Sequence, residues 1–281
     1  MFPYKRFDYI TKTSATMANW KRQTVWAVRD GLNALLYHYD DREYLNWHFR
    51  QSSRLRAFKD MHQGETCFII GNGPSLNQMD LTTLKDYHTF GLNKIYLMFD
   101  RVNLNLSYHV SVNDLVIEQS ASEFEALLCP SFLAYRPAYK HVKPLSHINF
   151  LMFSKGMSFQ TELTKPLCQG YTVTYVALQI AYYMGFSTVF LIGVDHHFKV
   201  DGNPNERQHL QGVDQNHFDP SYFGNMEWQL PEIEGSELAY NIAKFVFERS
   251  GRRICDATVG GKLRIFPKIP YEQALQQSSR K

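Results

Sequence analysis

The residues best placed for chemistry sit at the ends of short apolar runs. Asn72 lies in Gly71-Asn72-Gly73-Pro74-Ser75, directly after Thr66-Cys67-Phe68-Ile69-Ile70. The two glycines permit a tight turn and close backbone approach, so the loop's N–H groups would cradle a phosphate while Asn72 and Ser75 add side-chain donors. The loop is not a Walker loop, because no Gly-Lys-Ser/Thr follows. Nor is it the dinucleotide Gly-x-Gly-x-x-Gly, because Leu76 takes the third glycine's place. A glycine turn can also be purely structural. Asn93 closes a strand-like run over 88–93, and Asn113 closes another over 107–113. One asparagine at a turn is ordinary. Three at comparable strand ends favour a polar ligand such as a base or ribose.

Asp195-His196-His197 ends the strongest apolar run of the chain. A carboxylate and imidazoles at that place suit metal, phosphate or proton transfer; the plainer reading is a carboxylate capping a turn beside exposed histidines. His209 and His217 follow in a polar stretch, with Tyr222 nearby. A histidine there would act as a general base toward a hydroxyl, or would simply be solvated.

These residues need a scaffold that brings strand ends together. From Glu65 onward, strand-like runs alternate with helical ones, which implies a Rossmann-like α/β fold with a mainly parallel sheet and helices on both faces. The pattern predicts strands over 66–70, 88–93 and 107–113, near Phe132 and Phe150, and over 188–195 and 253–257. Helices are expected over 80–87 (with Asp80 as N-cap), 115–128, 173–184 and 236–249. Gly185 would end the third of these. In such sheets ligands bind beyond the carboxyl ends of the strands, where the loop at 71–75 falls. Residues 196–235 form a connection long enough to read as a lid.

Residues 1–62 differ: rich in Arg, Lys, Tyr and Trp, they carry helical spacing at Trp26, Val28, Leu32, Leu35 and Leu36. This predicts a helical N-terminal extension, followed by a nucleotide- or donor-binding catalytic domain over 63–281. The extension suits packing on the main domain, homo-oligomerisation, or peripheral association with a membrane surface. Bulk composition narrows the class further. The net charge of +3 argues against nucleic acid as a partner. The 17 Tyr and 20 Phe suit a deep aromatic core first and a stacking site second. Four cysteines without metal-ligand spacing read as reduced and structural. No secretory signal opens the chain and no apolar run approaches the roughly 20 residues that span a bilayer, so a cytoplasmic protein is expected, or one peripheral at the inner membrane.

The run Phe68-Ile69-Ile70-Gly71-Asn72-Gly73-Pro74-Ser75-Leu76, with Gly91-Leu92-Asn93-Lys94-Ile95-Tyr96, resembles the MptE-like domain family. That family is named for an archaeal 6-hydroxymethylpterin diphosphokinase and includes the central domain of flagellin-glycosylating motility accessory factors. More distantly, the chain resembles bacterial lipooligosaccharide sialyltransferases, which share a Gly-Asn-Gly-Pro-Ser-Leu loop and a strand ending Gly-Ile-Asp. The resemblance implies that Asn72, Asn93 and Asn113 contact a nucleotide-linked donor, that Asp195 matches the strand-end acid, and that His217 is a lid base. Two departures bear on the donor. Gly170-Tyr171-Thr172-Val173-Thr174 stands where the sialyltransferases have Arg-Ile-Thr-Ser-Gly, and His197 replaces a phosphate-contacting tyrosine.

Three functions follow as expectations. The first is a glycosyltransferase moving a sugar, such as a nonulosonic acid on CMP, from its nucleotide to a hydroxyl-bearing acceptor in a cell-surface glycan or glycoprotein. The loop and the asparagines would hold the nucleotide, and His217 would deprotonate the acceptor. His197, Thr172 or Tyr222 would steady the departing phosphate. No cofactor is required for that reaction. The second is a pyrophosphokinase of the hydroxymethylpterin type, which needs Mg²⁺, with Asp114 and Asp195 as its ligands. The third is a non-catalytic nucleotide-binding module.

Overall fold

The computed structural model describes residues 40–281 together with positions 28, 31, 32, 35 and 36. Most of the expected N-terminal extension, Trp26 included, lies outside the described residues. The chain divides into two units, Met1–Arg50 and Gln51–Lys281. In the first, Val28, Leu32, Leu35 and Leu36 are helical. Helix α1 (Arg42–Arg50) follows in the same unit, with Tyr44 and Trp47 buried. Among the described residues no helix is long and apolar enough to cross a membrane.

The second unit is built on seven parallel strands: β1 (Thr66–Ile70), β2 (His88–Leu92), β3 (Tyr108–Ser111), β4 (Ser131–Ala134), β5 (Ile148–Leu151), β6 (Thr188–Ile192) and β9 (Arg253–Asp256). Their order is β5-β4-β3-β2-β1-β6-β9. Every neighbour pairs parallel, with Ile70 opposite Ile192 at the ends of β1 and β6. Strands buried on both faces read as unbroken apolar runs, and β1 and β6 are buried at every position. The order runs outward from β1 to β5, then reverses to β6 on the other side of β1. A crevice therefore opens between the β1 and β6 ends.

Around the sheet lie α2 (Asp114–Gln119), α3 (Ala121–Ala126), α4 (Tyr135–His141), α5 (Val173–Tyr183), α6 (Ile233–Arg249) and α7 (Tyr271–Gln276). The helix expected over 115–128 is two helices, because the backbone leaves helical geometry at Ser120 (φ −128°). The helix expected over 80–87 is a 3₁₀ turn, Leu81–Asp86, and Asp80 caps it by accepting from the Thr82 N–H at 3.1 Å. Helix α5 is buried nearly all round rather than along one stripe. Its fully buried amide, Gln179, is satisfied: it accepts from the Gln160 N–H at 3.0 Å and donates to the Cys168 carbonyl at 2.9 Å. Gly185, at φ +95°, ends this segment.

The aromatic residues largely build the core. Phe68, Phe90, Phe132, Phe186 and Phe190 are fully buried, each stabilising the fold by about 1.5–3 kcal/mol. All four cysteines are free and buried, and burial pushes the Cys67, Cys129 and Cys255 thiols up. The stretch between β6 and α6 is not structureless. It holds an antiparallel ribbon, β7 (Arg207–His209) with β8 (Glu227–Gln229), which the sequence patterning did not show.

Candidate active site

Two loops meet in the crevice between β1 and β6. Gly71 donates to the Ile192 carbonyl at 2.8 Å, and Gly73 to the Gly193 carbonyl at 2.9 Å. A Cβ on Gly71 would sit 2.3 Å from the Gly193 oxygen, and one on Gly73 would sit 1.7 Å from Asp195 Oδ2. Only residues without a side chain allow this approach. The Ser75 N–H donates to the Asp195 carboxylate at 3.1 Å. Of the N–H groups expected to cradle a phosphate, that of Gly71 is engaged by β6 and those of Gly73 and Ser75 by the second loop, and Pro74 has none. Asp195 is an anchor of the 71–75 loop as well as a cavity residue.

A cavity of about 950 Å³ opens beyond these strand ends, large enough for a nucleotide-sized ligand. Of the residues expected from the sequence, Gly71, Asn72, Gly73, Asn93, Asn113, Thr172, Asp195, His197 and His217 line it. Ser75, Asp114, His209 and Tyr222 are not among its walls. Ser75 is buried beneath the loop, Asp114 is exposed in the first turn of α2, and His209 is exposed on β7.

The three asparagines come together, but their commitments differ. The Asn113 side chain caps α2 by accepting from the Val116 N–H at 3.2 Å, and it donates to Gln229 Oε1 in the lid at 3.2 Å. Asn93 holds a left-handed backbone at φ +48°. Its carbonyl accepts from His109 Nε2 at 2.8 Å, and its side-chain oxygen accepts from Ser111 Oγ at 3.1 Å. Asn72 Oδ1 alone of the three is buried with no partner among the described residues, which leaves it to a ligand donor.

The lid over 196–232 is fastened from both sides. Asn72's carbonyl accepts from the Phe218 N–H at 2.9 Å, and Asn77 Nδ2 donates to the Phe218 carbonyl at 2.8 Å. Arg101 pairs with Asp219. Beneath the lid, Lys94 is 3% exposed and donates to the Tyr222 carbonyl at 2.8 Å and to Gln119 Oε1 at 2.9 Å. Its ammonium also lies 4.7 Å from the Phe223 ring centroid. Burial lowers its pKa to about 8. Tyr222 is fully buried, and its hydroxyl accepts from the Lys94 N–H at 3.3 Å, so it props the lid from within rather than facing a donor phosphate.

Within the lid, His217 Nδ1 lies 2.8 Å from Asp214 Oδ2. Asp214 is buried and also accepts from the N–H groups of Asn216 at 2.8 Å and Phe223 at 3.2 Å. Burial works to raise the Asp214 pKa, but the His217 hydrogen bond and charge, with those N–H groups, bring it below the ordinary carboxylate value. An ionised Asp214 fixes the His217 proton on Nδ1 and leaves Nε2 with its lone pair, unbonded to any described residue. Asp214, Lys94 and Tyr171 are the site residues that sequence reasoning missed. Lys94 stood in the matched motif, and the Asp-x-x-His spacing was the available signal for Asp214. Tyr171 lines the cavity at φ +60°, 57% exposed.

No curated protein matches this chain. Among solved structures, the MAf glycosyltransferase from Magnetospirillum magneticum AMB-1 is similar, with 14% sequence identity and a TM-score of 0.48 over 83% of this chain. The chain covers 39% of that protein's length. A family model described as 6-hydroxymethylpterin diphosphokinase MptE-like matches residues 44–201. The matched residues hold the loop at 71–75, Asn93, Asn113, Thr172 and Asp195, and they end before Asp214, His217 and Tyr222. With more than half of its length matched, the chain belongs to the MptE-like family.

Proposed function

We propose that the protein is a transferase acting on a nucleotide-linked sugar, with His217 as the base that activates an acceptor hydroxyl. The observation that carries this reading is the Asp214–His217 pair, 2.8 Å apart, in a lid over a nucleotide-sized cavity. The acceptor oxygen bonds to the sugar's anomeric carbon while its proton passes to His217 Nε2. The bond from that carbon to the donor phosphate oxygen breaks, and the phosphate takes the electron pair. His197 and Lys155 line the same cavity and supply positive charge or donors for the leaving phosphate. Asn72 Oδ1 accepts from a base or ribose donor.

A pyrophosphokinase would hold Mg²⁺ on clustered carboxylates. The carboxylates on the cavity wall are Asp195 and Glu232, and each already accepts from a backbone N–H, of Ser75 at 3.1 Å and Gly235 at 2.7 Å. The expected partner Asp114 is not on that wall. This donor set suits a metal-independent transfer better. Calorimetric titration with CMP, UDP, GDP and ATP, each with and without Mg²⁺, tests the reading. Metal-independent binding of a nucleoside mono- or diphosphate is expected; tight binding of ATP only with Mg²⁺ overturns it in favour of diphosphate transfer.

A further inference from the structure

At the opposite end of the sheet, the amino-terminal ends of β1 and β2 gather groups that the cavity does not use. His62 Nδ1 lies 2.7 Å from Glu65 Oε2, and His88 Nε2 lies 3.0 Å from the same oxygen. The three ligand-type atoms all fall within 4.8 Å of one another. We propose that His62, Glu65 and His88 form a binding site for a divalent transition metal of the zinc class.

Two imidazole nitrogens and one carboxylate oxygen make a donor set suited to Zn²⁺, with a fourth position left for water. Bonds of about 2.0–2.1 Å in a tetrahedron place donor atoms roughly 3.3 Å apart. From 2.7 and 3.0 Å, the His62 and His88 nitrogens must therefore withdraw from the Glu65 oxygen by about 0.6 and 0.3 Å. The outer hydrogen bonds suit this assignment. A metal on His62 Nδ1 puts the ring proton on Nε2, which lies 2.6 Å from the Tyr108 hydroxyl. That hydroxyl then accepts from His62 and donates to Met61 Sδ at 3.6 Å, so both contacts are satisfied together. In a neutral, metal-free His62 with Nδ1–H on Glu65, the Tyr108 proton must serve Nε2 and the sulfur contact goes without one.

Position and access also fit. Glu65 precedes β1 and His88 opens β2, so the ion would tie neighbouring strands to the turn before them. The Glu65 side chain is 42% exposed and that of His88 14%, which gives solvent a route to the donors while His62 remains buried. Lys281 places a positive charge near His88, which works against any cation bound there. The site is remote from the nucleotide cavity and independent of the proposed reaction.

The test is titration of the EDTA-stripped full chain with ZnCl₂ by calorimetry, and with CoCl₂ by visible absorption. Binding of a single equivalent is expected, with the intense Co²⁺ bands of four-coordinate geometry and a higher thermal unfolding temperature. His88→Gln and Glu65→Gln should each weaken binding by about 100-fold, and the conservative Tyr108→Phe by about 10-fold. His197→Ala, a histidine exposed in the cavity, should leave Zn²⁺ affinity unchanged. Absence of single-equivalent binding by the wild type overturns the proposal, as does binding that survives both Glu65→Gln and His88→Gln. Should either variant misfold by circular dichroism, unaltered binding in Tyr108→Phe overturns it instead.

Discussion

The imidazole of His217 lies flat on the phenol ring of Tyr222, with centroids 4.0 Å apart and planes 4° from parallel. With Asp214 on Nδ1, the stack removes the ring's freedom to turn. A base held this way loses little entropy when it meets a hydroxyl. His217→Ala should therefore lower turnover by about 10²-fold or more, while nucleotide affinity is retained. Asp214→Asn keeps the size of the side chain but removes the charge that fixes the tautomer. It should lower kcat with little change in KM. Turnover near wild type in either variant would remove His217 from the mechanism.

Asn72 and Asn113 both line the cavity, yet their bonding separates them. The Asn113 amide is spent on α2 and on Gln229, whereas Asn72 Oδ1 is buried without a partner among the described residues. Asn72→Ala should weaken nucleotide binding by about 10-fold, the scale of one hydrogen bond, with the unfolding midpoint scarcely moved. Asn113→Ala should destabilise the protein by about 1 kcal/mol through the lost cap. Calorimetry and urea unfolding on both variants separate the roles. Equal affinity loss in the two would mean that both asparagines touch the ligand.

The strands and the strand-end asparagines were legible because buried parallel strands leave apolar runs and their ends leave turn residues. The fastening of the site was not. Lys94 reaches Tyr222, Asn77 reaches Phe218 and Asn113 reaches Gln229 across more than a hundred residues, and no local pattern records such contacts. The glycines of the loop at 71–75 hide a related contact: they allow close approach to Gly193 and Asp195 in the loop after β6, which no local pattern records. Ribbon β7–β8 was hidden because each strand is only three residues long, too short for the single buried Trp228 to mark a period.

His109 gives the site a dependence on acid. It is fully buried, donating from Nε2 to the Asn93 carbonyl at 2.8 Å and accepting at Nδ1 from Ser131 Oγ at 2.7 Å. Burial lowers its pKa from 6.5 to about 4, against the opposing pull of the Asn93 carbonyl. The folded protein thus holds it neutral while the unfolded chain takes up a proton below 6.5. Stability from this group is complete above pH 6.5 and falls as the pH drops toward 4, by about 3 kcal/mol over that window. Urea unfolding at several pH values should show this slope in the wild type and lose it in His109→Gln. An unchanged slope in the variant would assign the acid sensitivity to other groups.

Tyr171 combines strain with exposure. Its backbone sits at φ +60°, a conformation that costs a residue with a Cβ about 1–2 kcal/mol. Its ring lies against Gly235, where a Cβ would approach within 2.5 Å of Tyr171 Cδ2. If Tyr171 were merely structural, a strained and half-exposed tyrosine would gain the fold nothing that glycine could not supply. Tyr171 lines the cavity wall, however, and its exposed ring offers an aromatic surface to a ligand there. Tyr171→Gly should raise the thermal midpoint by relieving the left-handed backbone and weaken nucleotide binding by about 10-fold through loss of a stacking surface. Tyr171→Phe should keep affinity. A Tyr171→Gly variant that is more stable and binds nucleotide as the wild type does would show that the ring serves no ligand, whereas lower stability would mean that its contact with Gly235 outweighs the strain.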